Sequence, residues 1–305
     1  MRGVRSGIGG CIAALPSFFT SDGRHLDEAA VDLHARRLLA QGVGGLVCCG
    51  AVGEGATLTF AERSRVVAVA VEASAGRTPV IADVSACGTR AAVELARAAK
   101  EAGADAAMVV TPWYSRPTQR GVIRHFEDIA QAAVLPVIAA ADPRRAAIDV
   151  EPASAWRLQE LPGVIGFADM AGCAERLAER KRRSGGAFVW LTGDDASALS
   201  FHLAGGDGVV SAAANLAPAA CAAFAAACRD GDFKRAVDLH RGLAALVGLL
   251  GRKPCASLVK AALATADPRL SPAVRLPLVP PPLAAVARLI AAMATADVPR
   301  TRAAA

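Results

Sequence analysis

One junction recurs along this chain: a helical segment stops at glycine, and a short apolar run follows within a few residues. Gln41-Gly42-Val43-Gly44-Gly45 leads into Leu46-Val47-Cys48-Cys49, Ala102-Gly103-Ala104-Asp105 into Ala106–Val110, and Gly205-Gly206-Asp207-Gly208 into Val209-Val210-Ser211. Glycine is the usual left-handed stop for a helix. A short apolar run without polar alternation marks a strand covered on both faces. Amphipathic helices are predicted between the runs, for example over Asp27–Ala40, Ala61–Ala73, Arg90–Ala102 and Gln119–Ala132. Eight strands are predicted, at 8–14, 44–50, 79–84, 106–111, 135–141, 163–168, 187–192 and 207–212, each followed by a helix. Strands alternating with helices imply a parallel sheet, and eight such units imply an α/β fold of the (β/α)8 TIM-barrel type. The barrel is expected over 1–216. Two or three further helices should pack on it over 217–296, the Pro280-Pro281-Pro282 turn preceding the last, and 297–305 should form a flexible tail.

Composition narrows the function classes. Of the 305 residues, 53% are hydrophobic and 20% charged, which excludes a disordered chain. No apolar run is long enough to span a membrane, and the longest candidate, Val209–Cys228, contains Ser211, Asn215 and Pro218. The net charge is +6, but the basic residues are scattered and aromatics make up only 4%, so no nucleic-acid partner is expected. Eight cysteines occur without a CxxC pair, several inside apolar runs, which fits buried thiols and a cytoplasmic location. Arg2 and Arg5 precede an apolar stretch from Gly7 to Phe19, but Pro16 and three glycines make a poor signal sequence, and a first barrel strand is expected there instead. His25, His34, His125, His202 and His240 fall on predicted helices or their edges, so neither a His-rich metal site nor a cofactor is expected. Only five of the 34 basic residues are lysines: Lys100, Lys181, Lys234, Lys253 and Lys260.

Chemistry in such barrels sits at the C-terminal ends of the strands. Gly50-Ala51-Val52-Gly53-Glu54 follows the second strand. Thr111–Gln119 follows the fourth and holds the only tyrosine, Tyr114, which suits a proton relay or a packing group equally. The fifth strand runs into Asp142-Pro143-Arg144-Arg145, the sixth reads Val164-Ile165-Gly166-Phe167-Ala168-Asp169, and the seventh ends at Gly193-Asp194-Asp195.

These segments resemble the dihydrodipicolinate synthase / N-acetylneuraminate lyase family. Gly50–Glu54 matches its Gly-Thr-Thr-Gly-Glu, and Thr111–Gln119 its Thr-Pro-Tyr-Tyr-Asn-x-Pro-x-Gln. His125-Phe126, Pro143-x-Arg145, Gly193-Asp194-Asp195, Gly208–Asn215 and Arg275-Leu276-Pro277-Leu278 match as well, so the resemblance runs from Gly7 to about Leu278. It implies a homodimer or homotetramer that condenses or cleaves pyruvate-type 2-oxo acids through a lysine Schiff base. By the same resemblance that lysine falls at Ala168, the strand-five tyrosine at Ala140, and the hydroxyl residue of the strand-two loop at Ala51, with Val52 beside it. Tyr114 is retained; in the family it works beside a tyrosine contributed across a dimer contact. Arg145 is retained at the position that binds a substrate carboxylate. The expected substrate-lining positions are Gly50, Ala51, Val52, Ala140, Arg145, Ala168 and Val210.

Alanine forms no imine, and no other lysine falls at a predicted strand end; Lys260 matches a family lysine outside the catalytic set. Three functional side chains replaced by alanine should leave a roomier, less polar mouth. Asp142 lies two residues beyond position 140 and so shares its face. Asp83, after Val80-Ile81-Ala82, stands where the family has a small residue. Converging there, the two carboxylates would act as acid and base, or hold a hard cation such as Mg²⁺ or an ammonium on a ligand. Alternatively, Asp142 pairs with Arg144 or Arg145, Asp83 caps a turn, and Asp169 caps a helix starting near Gly172. Three functions remain open. One is an atypical lyase-like enzyme for a small carboxylate anchored by Arg145, with Tyr114, Asp142 and Asp83 as acid–base groups. The second is a catalytically inactive relative with a ligand-binding or structural role. The third is an ordinary pyruvate enzyme with a displaced lysine.

Overall fold

Eight short parallel strands pair in chain order and close on themselves: β1 Gly10–Ala14, β2 Gly45–Cys48, β3 Val80–Asp83, β4 Ala106–Val110, β5 Val137–Ala141, β6 Val164–Asp169, β7 Val189–Thr192 and β8 Gly208–Ser211. Pairing of Ile12 with Val210 and of Ile12 with Gly45 joins β1 to β8 and β2. The computed structural model describes residues 7–182, 188–251 and 255–296. Arg2, Arg5, Lys253, residue 187 at the edge of the expected seventh strand, and the expected tail at 297–305 lie outside these.

The strands read as unbroken apolar runs because both faces are covered. Ile12, Val47, Ile81, Met108, Ile138 and Leu191 fill the barrel interior. Their neighbours Ala13, Leu46, Ala82, Val109, Ala139 and Trp190 face the helices. Seven strands are shorter than expected and β6 is shifted by one residue, ending at Asp169. The apolar pattern continues into loop segments that are buried but no longer paired in the ladder.

Helix starts follow their caps. Glu28–Ala40 begins after Asp27, whose carboxylate accepts from Ala30 N. Phe60–Ser74 begins with a capping box between Thr59 and Glu62. Thr89–Glu101, Gln119–Ala133, Pro152–Glu160, Ala174–Lys181 and Ala198–Leu203 follow the next strands, and a four-residue helix, Pro143–Ala146, sits directly after β5. Pro218–Arg229 completes the eighth unit, and among the described residues three further helices follow it, Phe233–Leu250, Cys255–Ala266 and Leu283–Thr295. Among the described residues no single helix is long and apolar enough to cross a membrane.

A buried ion pair ties the C-terminal helices to the barrel mouth. Lys260 Nζ donates to Glu54 Oε1 at 2.6 Å with both side chains inaccessible, and Arg275 N donates to Glu54 Oε2 at 3.0 Å. The Phe19 ring packs against both cations, 4.2 Å from Lys260 Nζ and 4.1 Å from the Arg275 guanidinium carbon. Burial pulls the Lys260 ammonium below its ordinary value, and Glu54 opposes that shift. The loop after β2, one wall of the mouth, is thereby held from below.

Candidate active site at the C-terminal end of the barrel

A register shift opposite Val137 and Ile138 pairs Ile138 with Gly166 and Ala140 with Ala168. Ala168 is also level with Leu191 of β7, and Ala140 with Val110 of β4. Ala140, Ala168 and Val210 all belong to the interior cluster. The expected roomy opening is absent: Ala140 and Ala168 are 0% exposed and Val210 5%. Met170 explains part of this. It lies two residues beyond Ala168 on the same strand face and packs against the interior cluster. It leans toward β7, where a Cβ on Gly193 would overlap its thioether.

Above this floor stand charged groups. Asp83, at the end of β3, lies beside Gly50, its Oδ2 3.5 Å from where a glycine Cβ would stand. Its Oδ1 accepts from Ser85 N at 2.9 Å, closing a turn. Arg63 Nη1 donates to Asp83 O at 3.4 Å. Burial pushes the Asp83 carboxyl above the usual range; hydrogen bonds from Ser85 and the charges of Arg63 and Arg145 oppose the shift. Asp142, immediately after β5, is buried, with Oδ2 3.0 Å from Arg145 Nε and Oδ1 4.0 Å from Arg144 Nε. Arg144 Nη2 also donates to Met170 O at 2.7 Å. These contacts are those of the pairing and capping alternative. Asp142 pairs with Arg145 and Asp83 caps a turn, yet the Arg145 charge acts on both. Arg63, Arg144 and Arg145 are the guanidinium groups beside these two carboxylates.

Asp169 points to the other side of β6. Its Oδ1 accepts from Ala171 N and Gly172 N, both at 3.0 Å, and its Oδ2 from Arg180 Nη1 at 2.8 Å. Arg180 is itself 1% exposed and packs 4.8 Å from the Phe167 ring centre. The carboxylate is consumed in holding this turn and in pairing with Arg180; it does not cap the following helix as expected, since that helix starts at Ala174 after Cys173, which makes no side-chain cap.

Tyr114 is 94% exposed and has a left-handed backbone, φ +73°. Within one chain its ring is therefore not packed with Asp83 and Asp142. Ala51 is exposed, Gly50 half-buried and Val52 buried along the β2 loop. Of the lysines, Lys100 and Lys234 are exposed, Lys181 donates to Gly205 O, and Lys260 is bound to Glu54. None of these four belongs to the interior cluster. Among the described residues no group of three or more His, Cys, Asp or Glu could hold a metal ion.

Sequence reasoning passed over Arg63 and Met170, and named Arg144 only as an alternative partner of Asp142. The alternation rule that selected Asp142 from Ala140 would equally have selected Met170 from Ala168. Arg63 reaches β3 from 20 residues earlier in the chain, and no local pattern marks that contact.

A family model described as the dihydrodipicolinate synthetase family matches residues 7–294. The 4-hydroxy-tetrahydrodipicolinate synthase of Hyphomonas neptunium is 41% identical over 289 residues, covering 94% of this chain and 98% of that protein. The enzyme of the same name from Bartonella bacilliformis is 40% identical over 272 residues, covering 89% and 92%. Among solved structures, the chloride-inhibited dihydrodipicolinate synthase of Acinetobacter baumannii complexed with pyruvate superposes with a TM-score of 0.90 at 33% identity, covering 95% of this chain and 99% of that one. The Aquifex aeolicus dihydrodipicolinate synthase gives 0.88 at 32% identity, covering 92% and 96%.

Proposed function

Since the chain belongs to the dihydrodipicolinate synthetase family, we propose that it is a lyase-like member that works without a lysine Schiff base on a small carboxylate. The observation that carries this reading is the pairing of Ala168 with Ala140 in the barrel interior, while Arg145, Asp142 and Asp83 stand at the rim. Without an amine there is no imine to act as electron sink. Proton transfer remains: isomerisation, loss of water or decarboxylation of a carboxylate held by Arg145. Asp83, whose burial favours its protonated form, is the acid, and Asp142, set between Arg144 and Arg145, the acceptor. Tyr114 joins this machinery when a second copy covers its exposed ring, in a homodimer or homotetramer. A cytoplasmic location fits the eight free thiols, five of them buried in the core at Cys11, Cys48, Cys49, Cys221 and Cys228.

NMR screening of the purified chain against small carboxylates tests the reading. Turnover should fall by roughly 100-fold or more in Asp83→Asn, the usual contribution of a positioned acid, and in Arg145→Ala. Full activity in both variants would overturn the mechanism.

A second reading, a ligand-binding relative without catalysis, is favoured by the closed alanine floor and the outward Tyr114. Turnover of any oxo acid or hydroxy acid by the purified chain eliminates it.

A further inference from the structure

The loop after β2 is held in a costly shape. Two of its non-glycine residues, Cys49 and Glu54, have left-handed backbones, with φ of +61° and +52°. Such residues persist where their surroundings over-determine them. Glu54 is anchored by the Lys260 ammonium and by Arg275 N. Cys49 is anchored by Arg63, on the helix Phe60–Ser74: its thiol donates to Arg63 O at 3.7 Å. The far end of Arg63 reaches back across the loop. Nε donates to Gly55 O at 3.0 Å and Nη1 to Asp83 O at 3.4 Å. Gly55 N in turn donates to Gly50 O at 3.1 Å and closes the loop. A Cβ on Gly55 would overlap Cys49 O and stand 2.8 Å from Arg63 Nη2, so the guanidinium reaches the loop over a bare glycine.

Asp83 is the other end of this clamp. Ile81, two residues earlier, lies in the interior cluster, and Asp83 shares that strand face. The groups facing its carboxyl are Ser85 N on its own turn, Gly50 and the Cys49 thiol from the β2 loop, Arg63, and Arg145 from the short helix after β5. Of the two positive charges, Arg63 is bonded to the Asp83 main chain and Arg145 to Asp142. We infer that Arg63 is the positioning residue of the Asp83 acid: its guanidinium ties the strained loop to the end of β3 and keeps a positive charge beside the carboxyl. This rests on the reading of Asp83 as the acid and adds the residue that sets it. Burial alone favours the protonated carboxyl, and the Arg63 charge opposes that. The opposition matters because an acid that never releases its proton turns over nothing, and a general acid works best when poised near the operating pH.

Two variants of the full-length protein separate the clamp from the charge. Arg63→Gln removes both, whereas Arg63→Lys keeps the charge and loses the guanidinium fork. Hydrogen exchange over residues 49–58, read by mass spectrometry, reports the loop. Carboxyl-carbon NMR of the aspartate-labelled chain, with Asp83→Asn for assignment, reports the acid. Exchange should speed up about tenfold or more in Arg63→Gln, since hydrogen bonds from charged groups are the stronger class, and Arg63→Lys should restore it only in part. The Asp83 midpoint should move up in Arg63→Gln and return toward wild type in Arg63→Lys, because an opposite charge favours the ionised form. An unmoved midpoint or unchanged exchange in Arg63→Gln would overturn the inference. If that variant does not fold, Arg63→Lys decides alone: faster exchange with a midpoint near wild type supports the inference, and wild-type exchange overturns it. Full turnover by Asp83→Asn would remove the acid reading and this inference with it. Lost turnover there, with a midpoint indifferent to Arg63→Gln, leaves the acid standing and strikes only the role of Arg63.

Discussion

Ala140 and Ala168 stand opposite each other across β5 and β6, both inaccessible to solvent, with Met170 packed one pleat above. Two small side chains on neighbouring strands would leave a hole if nothing moved in. The Met170 thioether packs against the interior cluster and takes the space that a side chain at Gly193 would need. The interior at this level is therefore a packed layer rather than an empty pocket.

A lysine placed in that layer should not be accommodated freely. Ala168→Lys overfills a closed site, which typically costs about 1–3 kcal/mol, and places an ammonium among the apolar side chains of the interior cluster. Urea denaturation should show a lower midpoint, partly restored in the Ala168→Lys, Met170→Ala double variant. An unchanged midpoint for the single variant would mean that the floor is open.

The Asp83 carboxyl predicts a pH dependence. Its folded value is raised by burial, so above the ordinary carboxylate value of about 3.9 the folded chain keeps a proton that the unfolded chain has lost. The unfolded state then binds fewer protons, and stability falls as pH rises through the folded value. Asp83→Asn keeps the acceptor for Ser85 N and removes the titration. Its stability relative to wild type should rise from pH 4 upward and then level off. A gap independent of pH in urea melts, or one that shrinks as pH rises, would contradict the burial of this group.

The Lys260–Glu54 pair should behave as a buried ion pair. Lys260→Met leaves the Glu54 carboxylate buried without its ammonium and should cost about 3–5 kcal/mol. The double variant Lys260→Met, Glu54→Gln should recover part of that loss, because no lone charge remains. A double-mutant cycle by chemical denaturation measures the coupling; a negligible coupling energy would mean that the mouth loop is held in some other way.

The barrel was legible because its strands are covered on both faces, so that Leu46-Val47-Cys48 and Val137–Ala141 read as unbroken apolar runs. Helix starts were legible where Asp27, Thr59 and Thr118 supply side-chain caps. The closed floor was not. Whether two alanines leave space depends on how their neighbours pack, and no local pattern marks that. Tyr114 stands outward because of a left-handed backbone at a non-glycine residue, which no propensity predicts.

The central claim is that this family member forms no imine. Intact-mass and peptide mass spectrometry after incubation with pyruvate and borohydride tests it most directly. The expected result is an unmodified chain, with all five lysines recovered free. A reduced pyruvate adduct on any one of them would contradict the account and restore an ordinary pyruvate-dependent lyase with a displaced amine.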